Sequence, residues 1–208
     1  MTDEEARDQL FRDVSRETQE RLTLYHAALV KWQKAINLVA PATLAHAWHR
    51  HFLDSAQVFD AAQVSSGRWV DIGSGGGFPG LVCALIAAEK APDLSFSFVE
   101  SDIRKCSFLR EVARQCDVPI HVFSRRIEDV PPQDAAVLSA RALAPLDQLL
   151  GFADRHLAKD GVCVFQKGAS HLEELESARA RWQMEVEIIP SVTAADAAIL
   201  RIGHIAHA

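Results

Sequence analysis

The sequence has no excess of basic residues, no paired cysteines and no long apolar run. Its 22 lysines and arginines are outnumbered by 28 aspartates and glutamates, a formal net charge of −6. Taken alone, that balance argues against a nucleic-acid partner. The four cysteines, Cys83, Cys106, Cys116 and Cys163, form no C-x-x-C pair. Their spacing suggests neither a zinc site nor a disulfide framework, and they read as reduced, small apolar residues. No apolar stretch approaches the roughly 20 residues that span a bilayer. The opening segment "MTDEEARDQLFRD" is acidic and lacks an apolar core. No signal peptide is therefore expected, and the expected compartment is the cytoplasm. Internal repeats and low-complexity linkers are also missing.

What is present is ordinary for a soluble globular chain: 49% hydrophobic and 24% charged residues over 208 positions. That length suits one sizeable domain plus an appendage. The charge is uneven. Residues 1–20 carry seven acids and three bases, and residues 127–208 carry twelve acids and seven bases. Residues 100–126 reverse the sign, with four acids and six bases (Arg104, Lys105, Arg110, Arg114, Arg125 and Arg126). A local basic surface on an acidic protein follows, although any single such run is ordinarily a solvated helix face.

Apolar spacing predicts a helix from residue 4 to about 36, a break at "NLVAP" (37–41) and a second helix from Thr43 to about Gln63. From Gly67 the pattern changes. "RWVDIG", "LSFSFVE", "PIHVFS", "AAVLSA" and "GVCVFQKG" read as strands. Helical segments alternate with most of them, and Pro79 sits near the first turn of the helix "FPGLVCALIAAE". "MEVEIIP" and "AAILRIGHI" have no helix between them and read as an antiparallel pair closing the sheet. Such alternation builds an α/β fold with a mostly parallel sheet covered on both faces. The antiparallel finish favours the seven-stranded methyltransferase sheet over an all-parallel dehydrogenase sheet. The expected organisation is a single domain over 1–208, with residues 1–65 as an N-terminal helical cap and 66–208 as the sheet core.

The loop "WVDIGSGGGFPG" (69–80) satisfies two patterns. From Gly75 it matches G-x-G-x-x-G, the dinucleotide pattern, which is weak evidence by itself. From Asp71 it matches acidic-x-G-x-G-x-G. Charge separates the two readings. A carboxylate two residues before the first glycine repels a pyrophosphate, whereas it attracts the ammonium and sulfonium of S-adenosylmethionine. Glu100, at the end of the next strand, is placed to accept hydrogen bonds from ribose hydroxyls, a device that nicotinamide enzymes share. "RRIEDV" (125–130) follows the third strand, where Ile127 and the backbone of Glu128 can border an adenine.

"NLVAP", "RHFLDS" (50–55), "VDIGSGGGFPG", "SRRIEDV", "SARALAPL" and "FQKG" occur in that order. Together they resemble the RsmG (GidB) family of bacterial small-subunit ribosomal RNA guanine-N7 methyltransferases, over about residues 20–205. The resemblance implies a Rossmann-like, S-adenosylmethionine-dependent methyltransferase fold and 16S ribosomal RNA, or a small-subunit precursor, as partner; nothing in the sequence requires more than a monomer. It implies cofactor contacts at Gly73, Phe78, Ile127, Glu128 and Arg141, beside the Asp71, Gly75 and Glu100 read above. Lys167 is implied near the reacting centre or the RNA, so Arg141 and Lys167 are the candidate catalytic residues. Two details depart from the family pattern: an alanine before Arg141, and Gly76 where proline or alanine is frequent.

Guanine N7 has an available lone pair at neutral pH and needs no general base, so positioning can carry the reaction. The segment after the fourth strand agrees, with neither an N-P-P-Y run nor a Pro-Cys dipeptide. Arg141 can orient the guanine O6/N7 edge or hold the methionine carboxylate. Arg50, His51, Arg104, Lys105, Arg125 and Arg126 are the candidate RNA contacts. His51 and Asp54, three apart, are expected on one face over the cofactor mouth or against RNA. The offsets of His46, His49 and His51 do not place all three on one helical face, so no metal is expected. Three other readings compete: a methyltransferase for another RNA, a small molecule or a protein; a nicotinamide oxidoreductase; and a non-enzymatic RNA-binding module.

Overall fold

The computed structural model describes all 208 residues. It opens with α1 (Asp3–Arg12) and α2 (Arg16–Gln33). Thr2 and Glu5 form a reciprocal capping box at the start of α1. The single helix expected over 4–36 is divided at 13–15. Ser15 begins α2, its hydroxyl accepting from the Thr18 N–H. Glu89, distant in sequence, accepts from the Ser15 N–H at 3.0 Å and from the Thr18 hydroxyl at 2.7 Å. Continuous apolar spacing hid a break that a carboxylate elsewhere in the chain completes.

The second expected helix is also composite. A 3-10 turn (Pro41–His46) leads into a π-helical turn (Trp48–Leu53), and only then comes α3 (Asp54–Ala62). The wider turn lets the consecutive residues His51, Phe52 and Leu53 all be buried, which a regular helical face does not allow.

The remaining elements are β1 (Ser66–Ile72), α4 (Gly80–Lys90), β2 (Asp93–Glu100), α5 (Ile103–Gln115), β3 (Ile120–Ser124), β4 (Ala135–Arg141), α6 (Leu146–His156), β5 (Leu157–Lys167), α7 (His171–Ala178), β6 (Trp182–Pro190) and β7 (Ala198–His207). They form one seven-stranded sheet in the order β3-β2-β1-β4-β5-β7-β6. Strands β1 to β5 are parallel, and β7 runs antiparallel to both β5 and β6. The expected alternation and antiparallel finish are both present. Pro79 lies beside the first turn of α4, immediately before its first residue.

Side-chain alternation along the strands divides the interior in two. Trp69, Phe96, Phe98, Val137 and Val164 point to one face, where α4, α5 and the N-terminal helices bury them. Val70, Ile72, Val99, Leu138 and Phe165 point to the other, under α6 and α7. The N-terminal helices therefore share a core with the sheet. Leu22, Tyr25 and Leu29 of α2 are wholly buried, and each such apolar side chain stabilises the packing by about 1.5–3 kcal/mol. The Tyr25 hydroxyl donates to the Gly76 carbonyl at 2.5 Å, tying α2 to the loop after β1. Tyr25→Phe leaves that carbonyl unpaired in a dry site and is expected to lower stability by about 1–3 kcal/mol. Urea unfolding measures this, and an unchanged midpoint would show that the bond contributes nothing.

Candidate active site at the carboxyl end of the sheet

Ligands of open parallel sheets bind beyond the carboxyl ends of the strands, and β1 ends here in Asp71. Its side chain lies on the α4 side of the sheet. Gly80, in the first turn of α4, makes room for it, because a Cβ there would sit 2.6 Å from that of Asp71. The Asp71 carboxylate is buried. One oxygen accepts from the Ser139 hydroxyl at 2.6 Å, and that hydroxyl accepts in turn from the Trp69 indole at 2.8 Å. The other oxygen has no partner in the protein. Burial raises its pKa to about 7, against the lowering effect of the Ser139 hydrogen bond.

The loop that follows holds Gly73, Gly75 and Gly77 at positive φ (64°, 52° and 92°). These are the three alternating glycines of the acidic-x-G-x-G-x-G frame, so the backbone follows that pattern. Glu100 closes the loop. One carboxylate oxygen accepts from the Gly75 N–H at 2.9 Å and the other from the Asp102 N–H at 2.8 Å. Each oxygen keeps further acceptor capacity. A cavity of about 430 Å³ opens beside them, lined among others by Gly73, Gly75, Glu100, Ile127, Glu128 and Leu143. Leu143 leans on the loop, since a Cβ on Gly73 would meet its Cδ1 at 2.5 Å.

A second cavity of about 400 Å³ lies alongside, lined by Arg50, His51, Asp54, Arg141, Gln166 and Lys167 together with parts of the β6–β7 connection. Ala142 borders both cavities. Arg141 ends β4 next to it, its guanidinium 5.1 Å from the Phe78 ring centre. Its Nη1 contacts His51 Nδ1 at 2.9 Å and donates to the Arg50 carbonyl at 3.3 Å. Burial and the two neighbouring arginines push the His51 pKa down to about 3, so the ring is neutral. Asp54 accepts from Gln166 (2.5 Å), Ser191 (3.1 Å) and Thr193 (2.9 Å).

The GidB family, described as rRNA small subunit methyltransferase G, matches this sequence over residues 18–201. The chain belongs to that family. Two relatives carry the name ribosomal RNA small subunit methyltransferase G. The protein of Ruegeria sp. (strain TM1040) is 53% identical over 198 residues, 95% of this chain and 96% of its own. That of Jannaschia sp. (strain CCS1) is 52% identical over 201 residues, covering 97% and 95%. Among solved structures, a ribosomal protein L11 methylase from Lactobacillus delbrueckii subsp. bulgaricus aligns with a TM-score of 0.59 at 22% identity, over 74% of this chain and 78% of that one. A methyltransferase from Geobacter sulfurreducens aligns at 0.57 and 13% identity, over 86% and 87%. At those identities the likeness concerns the fold.

Within this GidB-family chain, the expected cofactor residues fall in two groups. Gly73, Gly75, Glu100, Ile127 and Glu128 line one cavity. Asp71 and Phe78 are buried and line neither cavity, and Arg141 lines the second. The Phe78 ring is buried against Tyr25, Phe52 and His51, so its side chain faces the core and not the cavity. Lys167 lines the second cavity, but its ammonium is paired with Glu174 at 2.6 Å and donates to the Ala144 carbonyl at 3.1 Å. Glu174 also accepts from the Leu146 N–H, which starts α6. In this arrangement Lys167 braces the β4–α6 loop while lining the second cavity. The His51 ring is buried and engaged at both nitrogens at the wall of the second cavity, so of the two roles expected for it the geometry favours packing over the site.

The other candidate cations are accessible. Arg50, Arg125 and Arg126 are exposed, and their side chains form no ion pair or hydrogen bond. Lys105, half-buried, joins Arg125 and Arg126 at the first cavity. Arg104 pairs with Asp102 at 3.5 Å on the surface, a contact of little energy. Sequence reading missed Tyr25, Thr43, Ser139 and Glu174. Ser139 alone left a signal, two residues before Arg141 on the same face of β4.

The Asp71 environment has a measurable consequence. Its folded pKa of about 7 exceeds the unfolded value of about 3.9. Between those values the folded chain keeps a proton that the unfolded chain has lost, so stability falls as pH rises through that window. Asp71→Asn removes this dependence. Relative to the parent, the variant is expected to gain stability from about pH 5 to about pH 8, as denaturant unfolding at the two pH values will show. A stability difference independent of pH would contradict the burial of an uncompensated carboxylate.

Proposed function

We propose that this chain methylates N7 of a guanine in 16S ribosomal RNA, with S-adenosylmethionine as the methyl donor. One observation carries the reading in a GidB-family chain: two cavities side by side, one walled by the glycine loop and Glu100, the other by Arg141, meeting at Ala142. The residues present fit such a donor. The unpartnered, buried oxygen of Asp71 favours a cationic ligand above it, and Glu100 retains acceptor capacity for ribose hydroxyls. Ile127 and Glu128 border the adenine end. When bound, the donor supplies a methyl group already activated by its sulfonium.

The chain's own groups then have to position and not deprotonate. In the second cavity no side chain is poised as a general base. His51 is neutral and bonded at both nitrogens, Asp54 already accepts from three side chains, and Lys167 is paired. This suits guanine N7, whose lone pair is free without proton removal. Arg141 is restricted by the same chemistry. A hydrogen bond to N7 would occupy the attacking lone pair, so its free donors serve guanine O6 or the methionine carboxylate. Two walls of one chain suffice for both reactants, which supports a monomer. No helix is long and apolar enough to cross a membrane, and a ribosomal RNA substrate supports a cytoplasmic reaction.

Exposed Arg50 at the second cavity, and Lys105, Arg125 and Arg126 at the first, supply local positive charge for phosphates on a chain of net charge −6. The acidic total favours a small-molecule or protein substrate instead, and the assay separates the readings. Labelled S-adenosylmethionine is offered with small-subunit RNA, naked or assembled, and the product nucleoside is identified. N7-methylguanosine is the expected product, and its absence from every ribosomal substrate tested would refute the proposal. Replacing Arg125 and Arg126 together with alanine is expected to weaken RNA binding and to reduce the salt slope by about 1.5, at roughly 0.7–0.9 per phosphate contact. An unchanged slope would remove both residues from the RNA surface.

A further inference from the structure

We infer that His51 is a positioning residue for Arg141, acting as a neutral ring protonated on Nε2 and anchored by Thr43. The proton arrangement follows from donor and acceptor identities. A guanidinium can only donate, so His51 Nδ1, 2.9 Å from Arg141 Nη1, presents its lone pair. At the other end of the ring, Nε2 lies 2.8 Å from the Thr43 hydroxyl. That hydroxyl is also 2.8 Å from the Ala40 carbonyl, which can only accept. Thr43 therefore donates to Ala40 and accepts from His51 Nε2–H. These three contacts admit one arrangement of protons, directed from Arg141 to the backbone of the "NLVAP" turn.

Packing fixes the ring as firmly as the hydrogen bonds do. His51 stacks on Phe78, with centres 5.0 Å apart and planes 30° apart. Arg141 lies over the same Phe78 ring. The relay engages Nη1, and Nε and Nη2 of Arg141 have no protein partner. A long side chain with many rotamers is thus held in one orientation at the boundary of the two cavities, with the three N–H donors of Nε and Nη2 unengaged. Holding a binding group in place before the reactants arrive lowers the ordering cost of the reaction. The π-helical turn serves this arrangement, because it lets His51 be buried beside Phe52 instead of facing solvent.

The inference rests on the proposal that Arg141 faces the reactants, and its test separates the two. His51→Phe keeps a ring of similar size against Phe78 but removes the acceptor. Loss of a hydrogen bond to a charged group corresponds to a fall in kcat/KM of about 10- to 100-fold, with the thermal midpoint little changed. His51→Asn, whose side-chain oxygen can take the place of Nδ1, is expected to recover most of that loss. Thr43→Val and Thr43→Ser form a second pair with the same expectation, loss and then rescue. Parental activity in folded His51→Phe would overturn the inference.

Nitrogen-15 spectra of the parent protein decide the tautomer without any variant. An unprotonated Nδ1 and a protonated Nε2 at neutral pH support the relay, and a proton on Nδ1 overturns it. If the parent fails to methylate ribosomal RNA, the functional proposal falls while the spectrum still answers for His51. Calorimetric binding of S-adenosylhomocysteine to the parent and to His51→Phe then reads the placement of Arg141. Weaker binding by the variant supports the inference with Arg141 on the methionine carboxylate, and equal binding by a variant that also keeps parental activity overturns it.

Discussion

The hydrogen bond from Tyr25 to the Gly76 carbonyl joins two parts of the chain that each need the other. The glycine loop has little side-chain mass to define its own path. Its shape is imposed from below by Asp71 at the end of β1, from the side by Glu100 gripping the Gly75 N–H, and from above by α2. Phe78 then leaves the loop and enters the aromatic cluster of Tyr25, Phe52 and His51. That cluster supports Arg141. The N-terminal helices are thereby part of the site's construction, although none of their first 33 residues lines either cavity.

The electrostatics of the site follow from burial. Three ionisable groups sit where water is scarce, and each is handled differently. Asp71 has one satisfied oxygen and one unsatisfied, a local conflict of the kind that folding alone does not favour. His51 avoids the conflict by staying neutral, since a second cation beside Arg141 would be costly. Lys167 resolves it by pairing with Glu174, whose own pKa is raised by burial but lowered further by the Lys167 hydrogen bond and its other partners. The unresolved group lies under the glycine loop and the paired ones brace its surroundings. This distribution suits a site built to receive a cation.

Much of the fold was legible because strand and helix periods are local properties. The strand read from "LSFSFVE" and the missing helix between β6 and β7 are both present in the structure. The breaks at 13–15 and 48–53 were not legible, since Glu89 completes one and the burial of three consecutive residues produces the other. At the site, Gly73, Gly75, Glu100, Ile127 and Glu128 could be grouped from sequence because parallel strands bring their carboxyl ends to one edge. Phe78, Lys167 and His51 could not be placed, because residue type does not say which way a side chain faces.

Short-range pattern is enough to specify the succession of strands and helices from Gly67 onward, the glycine positions at which the loop takes positive φ and the family to which the chain belongs. Each is written in neighbouring residues or in short spacings. Which groups are charged and which are committed is set by packing. Arg141 meets His51 across 90 residues of chain, and Asp71 meets Ser139 across 68. Protonation and orientation depend on burial and on partners brought together by packing, and those are properties of no single segment.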